Sequence, residues 1–227
     1  MNYEKGFFDK LRKIEMENSM KTGIVFDMDG TLWDSTEQIL ISWNRVLKKY
    51  NVELSLEKLQ SLMGKTMDDI AKNVMPEKSE EERKKIFELC LQEENKYLEE
   101  HGAILYPHLE ETLAVLHEKY PLYIVSNCQS GYIEAFLTYH KLGAYFDDFE
   151  CFGNTGEGKA YNEKLLATRN QLERAIYVAD IHGDYDATME AGFEFIYAAY
   201  GFGTVDADVP RVDCFSELPQ VLEKYLH

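Results

Sequence analysis

The sequence lacks a long apolar run, and positive charge is scarce in it. No run approaches the roughly 18 apolar residues of a transmembrane helix, so a membrane span is not expected. Asp and Glu number 41 against 24 Lys and Arg, a formal net charge of −17. Such an acidic surface repels nucleic acid and anionic membranes, so we expect neither as a partner. A phosphorylated small molecule would need a local cation, a lysine or helix N-termini to overcome this field.

Cysteine is also sparse, and no C-x-x-C pair occurs. A zinc site or a disulfide framework is therefore not expected, and reduced thiols in a cytoplasmic protein fit better. The four cysteines are Cys90, Cys128, Cys151 and Cys214.

Residues 1–20 do not have the charged start and apolar centre of a signal peptide, which also favours the cytoplasm. Apolar residues recur there at helical spacing and predict an amphipathic helical extension. They are Phe7, Phe8, Leu11 and Ile14.

From Gly23 onward, short apolar runs alternate with segments of helical pattern. This alternation predicts an α/β fold: a doubly wound, Rossmann-like parallel sheet with helices on both faces. The expected strands lie at 24–26, 122–125, 149–152, 175–179 and 193–199, and the expected helices at about 108–118, 130–141, 160–172, 184–191 and 215–226.

Residues 34–105 interrupt the alternation. They contain no convincing strand, and helical patterns occur near 35–50, 55–62, 66–75 and 79–101. We interpret them as an inserted, all-helical cap domain. The expected division is a helical extension over 1–20, a core formed by 21–33 and 106–227, and the cap over 34–105.

Polar residues follow several of these apolar runs. They are Asp27 and Asp29, Ser126 and Asn127, Lys159 after a glycine-rich loop, and Asp180 with Asp184. Each alone has a plain explanation as a turn, a helix cap or a surface residue. Because the carboxyl ends of parallel strands meet at one edge, we expect the whole set to converge there.

Converging carboxylates repel one another, and a hard divalent cation relieves the repulsion. Mg²⁺ accepts a few carboxylates together with water and phosphate oxygens. A lysine balances the remaining charge, and one carboxylate is left to attack phosphorus, a known route to aspartyl-phosphates.

The stretch Asp27–Ser35, Asp-Met-Asp-Gly-Thr-Leu-Trp-Asp-Ser, resembles the first motif of the haloacid dehalogenase superfamily. Ser126, Lys159 and Asp180-x-x-x-Asp184 resemble its second, third and fourth motifs. The position of the insert, and Gly201-Phe202-Gly203 near the end, resemble the phosphoglycolate phosphatase and β-phosphoglucomutase branch.

The resemblance implies an Mg²⁺-dependent phosphatase acting on a small phosphorylated metabolite. Asp27 would be the nucleophile and a metal ligand, and Asp29 the general acid and base, with its carbonyl on the metal. Asp180 would be the third protein ligand, supported by Asp184. Lys159 would stabilise the transferring group, and Ser126 and Asn127 would bind phosphate oxygens.

Two departures from the family pattern stand out. Ala160 replaces the usual proline after the motif lysine, and Ala179 the usual glycine before Asp180. Without the proline, the φ angle at position 160 is no longer fixed, which leaves Lys159 less constrained. The steric effect of the added methyl group at Ala179 is small unless φ is positive there. Lys65, in a loop of the insert, is either a solvated lysine or a ligand of a substrate anion.

The sequence is compatible with several functions. A phosphomutase would use the same core residues, with a sugar hydroxyl as the acceptor. A receiver-like signalling protein or a non-catalytic phospho-ligand binder would keep the site without turnover. A dehalogenase is disfavoured because it needs neither Asp29 nor the metal. The substrate, the oligomeric state and the role of residues 1–20 are left undetermined.

Overall fold

The computed structural model describes residues 21–226, so the helix expected over residues 1–20 lies outside the described part. The strands are β1 (Thr22–Phe26), β2 (Trp33–Asp34), β3 (Ile104–Leu105), β4 (Leu122–Ser126), β5 (Asp148–Cys151), β6 (Arg174–Ala179), β7 (Glu194–Ala198) and β8 (Arg211–Val212). The helices are α1 (Thr36–Leu47), α2 (Leu56–Gln60), α3 (Met67–Val74), α4 (Glu80–His101), α5 (Leu109–His117), α6 (Tyr132–His140), α7 (Phe152–Thr155), α8 (Lys159–Arg169), α9 (His182–Ala191) and α10 (Leu218–Leu226).

Six strands form one sheet in the order β5-β4-β1-β6-β7-β8, and every neighbouring pair is parallel. The chain adds β4 and β5 on one side of β1, then crosses to add β6, β7 and β8 on the other. β1 is therefore the point at which the winding direction changes. Open α/β sheets form their ligand crevice at such a point, beyond the carboxyl ends of the strands. The predicted doubly wound α/β fold is confirmed.

The sheet is buried on both faces, because successive side chains of a strand point to opposite sides. In β1, Ile24 and Phe26 enter one hydrophobic core, and Val25 enters the other. The strands are therefore continuously apolar and end abruptly where polar residues begin.

Helices α1 to α4 have a separate hydrophobic core, which supports the helical cap of the predicted fold class. Trp43 of α1 packs edge-on against Phe87 of α4, with ring centroids 4.9 Å apart. The other fully or nearly buried members include Ile39, Leu47, Leu59, Ile70 and Cys90. The division of the chain at residues 34 and 105 stays a prediction.

One expectation for the insert is wrong in detail. Residues 34–105 were expected to contain no strand, but β2 and β3 form a two-residue antiparallel ladder that pairs Trp33 with Leu105 and Asp34 with Ile104. The ladder lies where the chain leaves and re-enters the core. Pairs this short have no periodic sequence signal, which is also why β8 was not predicted.

The longest helix, α4, begins with a capping box in which Ser79 and Glu82 satisfy each other's backbone N–H groups. It spans 22 residues, with acidic and basic side chains along its length. Within residues 21–226, no helix combines the length and the apolar character needed to cross a membrane.

The interface between α8 and α9 contains a fully buried carboxyl group, Glu163. Thr188 Oγ1 donates to Glu163 Oε1 over 3.3 Å, and Oε2 has no partner among the described residues. Burial raises the pKa of Glu163 to about 8, although nearby Lys159 opposes the rise. The group is therefore protonated at neutral pH in the folded chain.

Truncation of Phe26 should destabilise the fold strongly, because its ring contacts Phe146 and Phe215 in the larger core. We expect Phe26→Ala to lower the free energy of unfolding by about 3–5 kcal/mol. Urea unfolding followed by circular dichroism measures the change. Val115→Ala on α5, where the side chain is exposed, should change it by less than about 0.5 kcal/mol. Equal effects of the two substitutions would contradict this core.

Glu163→Gln should remove a pH-dependent loss of stability. Because the folded-state pKa lies above the unfolded value, the folded chain holds the proton, and stability falls as pH rises from about 4.5 to 8. The variant should gain stability over the native chain through this window, on the order of 4 kcal/mol at pH 8, because each unit of pKa difference contributes about 1.4 kcal/mol. Thermal melts from pH 5 to 8.5 test this, with exposed Glu190→Gln on α9 as the control. A gain independent of pH would refute the assignment.

Candidate active site

Three carboxylates meet at the carboxyl edge of the sheet. Asp27 follows β1, Asp180 follows β6, and Asp184 lies in the first turn of α9. One oxygen from each lies within 4.8 Å of the other two, and all three side chains are buried. The parallel order of β1 and β6 produces this convergence, as expected from the sequence.

Lys159 joins two of these carboxylates. Its Nζ donates to Asp27 Oδ1 over 2.9 Å and to Asp184 Oδ1 over 2.6 Å. Burial alone would lower the pKa of Lys159, but Asp184 and Asp27 together raise it above its ordinary value. The ammonium group is therefore charged, and its two ion pairs hold it in place beside Ala160 without the usual proline.

Two carboxylate oxygens that do not contact Lys159 have no partner within residues 21–226. Phe202 N donates to Asp180 Oδ2 over 2.7 Å, whereas Asp180 Oδ1 and Asp184 Oδ2 are buried with no hydrogen bond from the described residues. Burial raises the pKa of Asp180 to about 7 and that of Asp184 to about 8, and Asp27 adds to both rises.

The backbone around Asp180 is close-packed. A Cβ atom on Gly30, whose φ is +84°, would lie 2.2 Å from Asp180 Oδ2, so only glycine fits. A Cβ on Gly201 would lie 2.3 Å from Asp180 Cβ. Ala179 does not have a positive φ, so its methyl group causes no backbone strain there.

Asp29 lies beside these three carboxylates, and a different set of residues holds its side chain. Tyr132 OH and Trp33 Nε1 donate to Oδ1 over 2.6 and 3.0 Å, and Ser35 Oγ donates to the same oxygen. Oδ2 accepts no hydrogen bond from residues 21–226 and is available for proton transfer. Burial raises the pKa of Asp29 to about 6, and Asp27 adds to the rise against these three donors.

Ser126 and Asn127 follow β4 and line the same cleft as Asp27 and Lys159. Ser126 is buried and Asn127 is half-buried. All seven residues predicted for the site therefore lie at one edge of the sheet. Lys65, the uncertain residue, is exposed and also lines the cleft.

The cleft lies between the sheet edge and the insert. The side chains from the sheet edge are polar, and those from the insert form an apolar wall. That wall contains Ile39, Trp43, Leu59, Met63, Met67 and Ile70. This mixed lining suits a small molecule with one highly charged end.

The sequence interpretation missed Tyr132 and Glu94. Tyr132 begins a helix 103 positions after Asp29, and no local pattern relates the two. The sequence does contain a signal for Glu94. Glu94 falls on the buried stripe of α4 formed by Phe87, Cys90 and Leu98, where helical spacing predicts an apolar residue. A carboxyl group on a buried stripe is exceptional and indicates a specific role.

The donor set fits a hard divalent cation. It consists of carboxylate oxygens, and two of them are buried without partners. Buried carboxylates at this separation raise one another's pKa, and a cation removes that repulsion. Mg²⁺ uses such oxygen ligands and keeps positions for water or phosphate.

A family model described as haloacid dehalogenase-like hydrolase matches residues 24–198, well over half of the chain. A phosphoglycolate phosphatase from Aquifex aeolicus is 28% identical over 195 residues, which cover 82% of this chain and 89% of that protein. The Escherichia coli phosphoglycolate phosphatase is 22% identical over 221 residues, covering 84% and 87%.

Solved structures share the fold. A haloacid dehalogenase-like hydrolase from Bacteroides fragilis superposes with a TM-score of 0.77 at 20% identity, over 88% of this chain and 100% of that one. CbbY from Rhodobacter sphaeroides, in complex with phosphate, gives 0.75 at 19% identity, over 88% and 96%.

The family match extends from β1 to β7 and so includes all seven residues predicted for the site. The sheet order, the helical insert and the curated relatives agree with it. The chain belongs to the haloacid dehalogenase-like hydrolases and is a phosphoric monoester hydrolase.

Proposed function

We propose that the chain hydrolyses a small phosphorylated metabolite through a phosphoryl group carried on Asp27, with Mg²⁺ bound beside it. The observation that carries the proposal is the buried triad of Asp27, Asp180 and Asp184, organised around Lys159 at the switch point of the sheet. The names of the curated relatives support a phosphatase.

Asp27, Asp180 and the main-chain carbonyl of Asp29 would hold the metal, with Asp184 in support. When bound, Mg²⁺ neutralises charge on the phosphoryl oxygens and so lowers the cost of transfer. Lys159, which is paired with Asp27, supplies a second positive charge. Ser126 and Asn127 line the same space and would donate hydrogen bonds to phosphate oxygens.

The reaction has two displacements. A carboxylate oxygen of Asp27 attacks phosphorus while the ester oxygen leaves and takes a proton from Asp29. Water then attacks the phosphorus of the aspartyl-phosphate and gives its proton to Asp29, and the bond to Asp27 breaks. The hydrogen bonds on Asp29 Oδ1 leave Oδ2 for both transfers, and a pKa of about 6 suits a group that donates and then accepts near neutrality.

The same residues would serve a phosphomutase, so the acceptor distinguishes the two reactions. Release of inorganic phosphate from a monoester supports hydrolysis, whereas formation of an isomeric phosphate without release supports the mutase. We place the enzyme in the cytoplasm, since all four cysteines are unpaired. We also retain 34–105 as the cap and 21–33 with 106–227 as the core.

Asp27→Asn should abolish hydrolysis in the presence of Mg²⁺, with a loss of about 10³-fold or more, because an amide is a poor nucleophile. The measurement is phosphate release from a panel of monoesters, with Mg²⁺ and with EDTA. Asp186→Asn, which removes an exposed carboxylate from the same helix as Asp184, is the control and should keep its activity. Undiminished turnover by Asp27→Asn, or turnover unaffected by EDTA, would contradict the proposal.

Asp29→Asn should slow hydrolysis of alkyl phosphates about 10²–10⁴-fold, because an alkoxide needs protonation as it leaves. The loss in the first step should be much smaller for p-nitrophenyl phosphate, whose leaving group is stable as an anion. Burst kinetics separate formation of the aspartyl-phosphate from its hydrolysis. Equal slowing of that first step for both esters would argue against an acid role for Asp29.

A further inference from the structure

The outer part of the cleft contains one buried carboxyl group, Glu94 of α4, with only 2% of its surface exposed. It lies among apolar residues of the cap, including Ile39, Trp43 and Ile70, which line the same cleft. Burial raises the pKa of Glu94 to about 8, and Asp29 adds to the rise. Such a group is costly to bury and is not needed for the phosphoryl transfer described above.

Glu94 has hydrogen-bond donors but no cation. Trp43 Nε1 donates to Oε2, and Gln129 contributes a further hydrogen bond. A carboxylate has about four lone-pair sites, so these two donors leave acceptor capacity. In residues 21–226, no Lys, Arg or His lies within ion-pair distance of Glu94.

Gln129 presents a second acceptor. The carbonyl of Ser130 can only accept, so Asn95 must direct Nδ2 to it and Oδ1 to Gln129. Gln129 then uses Nε2 as the donor to Asn95 Oδ1, over 2.8 Å. Its Oε1 is left buried without a partner in the described part of the chain, although Gln129 is only 9% exposed and lines the cleft.

Two acceptors without cationic partners require a ligand that brings hydrogen-bond donors. We propose that the substrate is a phosphate ester whose alcohol portion carries a hydroxyl or amino group that forms hydrogen bonds with both Glu94 and Gln129. Esters with a carboxylate at that place are rejected. The proposal rests on the phosphatase function proposed above and narrows its substrate class.

The physical basis is the cost of leaving a buried hydrogen-bond acceptor without a donor. A ligand carboxylate brings no donor for Gln129 Oε1, which stays unsatisfied, and it prevents Glu94 from ionising. A hydroxyl donates to Gln129 Oε1 and accepts from the protonated Glu94, whereas an ammonium group donates to both residues and favours the ionised form of Glu94. The proposal separates this chain from relatives named phosphoglycolate phosphatase, because phosphoglycolate carries a carboxylate.

Lys65 offers the competing arrangement. It lines the cleft, whereas Lys159 is already paired with Asp27 and Asp184. If an exposed lysine bound a substrate carboxylate, esters such as phosphoglycolate would be favoured and their KM would depend on Lys65. The two arrangements therefore predict opposite substrate preferences.

Matched pairs of esters test the proposal at two chain lengths: 2-hydroxyethyl phosphate with phosphoglycolate, and glycerol 3-phosphate with 3-phosphoglycerate. Phosphoethanolamine carries an amino group where 2-hydroxyethyl phosphate carries a hydroxyl. Comparing these two esters shows which donor is preferred. We expect kcat/KM of the native chain with Mg²⁺ to favour the member without a carboxylate in at least one pair by about tenfold or more. In Glu94→Gln, which keeps the shape, that ratio should fall about tenfold.

Glu99→Gln is the matched control, because it removes an exposed carboxylate from the same helix, and its ratio should equal the native one. Gln129→Met is an independent test. It removes the Oε1 acceptor and should raise KM for the preferred ester. Thermal melts show that each variant is folded. If Glu94→Gln does not fold, the native ratios and Gln129→Met still decide the question.

Equal or better turnover of the carboxylate esters by the native chain would overturn the proposal, as would an unchanged ratio in folded Glu94→Gln. A rise in KM for carboxylate esters alone in Lys65→Ala would assign the contact to that lysine instead. Failure to hydrolyse any ester would overturn the phosphatase function as well, whereas hydrolysis without discrimination overturns this inference alone.

Discussion

The site depends on one electrostatic constraint: several carboxylates are buried together, and their repulsion must be compensated. Lys159 supplies the compensation within the chain, because a single ammonium group pairs with Asp27 and Asp184 at once. The compensation is incomplete, since buried oxygens of Asp180 and Asp184 stay without partners. That deficit suits a divalent cation, and in the proposed function the cation and the lysine together would allow an acidic protein to accept a phosphate.

The fold holds these charges together through close backbone packing. The loop after β1 and the loop after β7 approach Asp180 so closely that side chains at Gly30 and Gly201 would collide with it. Phe202 contributes a backbone N–H to the same carboxylate. The carboxylates are therefore fixed by main chain as well as by ion pairs. Asp180 itself follows β6, a buried strand that lies beside β1 at the centre of the sheet.

The two halves of the cleft are lined by chemically different side chains. In the proposed function the sheet edge supplies the charged groups for phosphoryl transfer, and the insert supplies an apolar wall that contains one carboxyl group, Glu94. Asp29 lies between them, held by Tyr132 and Trp33. Phosphatases of one family can thus share the inner half and differ in the outer half, so that similarity to named relatives supports the reaction more strongly than the substrate.

The sequence by itself determined the sheet, the helical insert and the positions of Asp27, Ser126 and Asp180, because apolar runs that end in polar residues mark the carboxyl ends of parallel strands. Their convergence follows from topology alone. Only the tertiary structure decided which oxygen of Asp29 is occupied and that Glu94 lies inside the cleft. Both depend on contacts between residues far apart in the chain, such as Trp43 with Glu94, 51 positions away, and such contacts leave no periodic pattern.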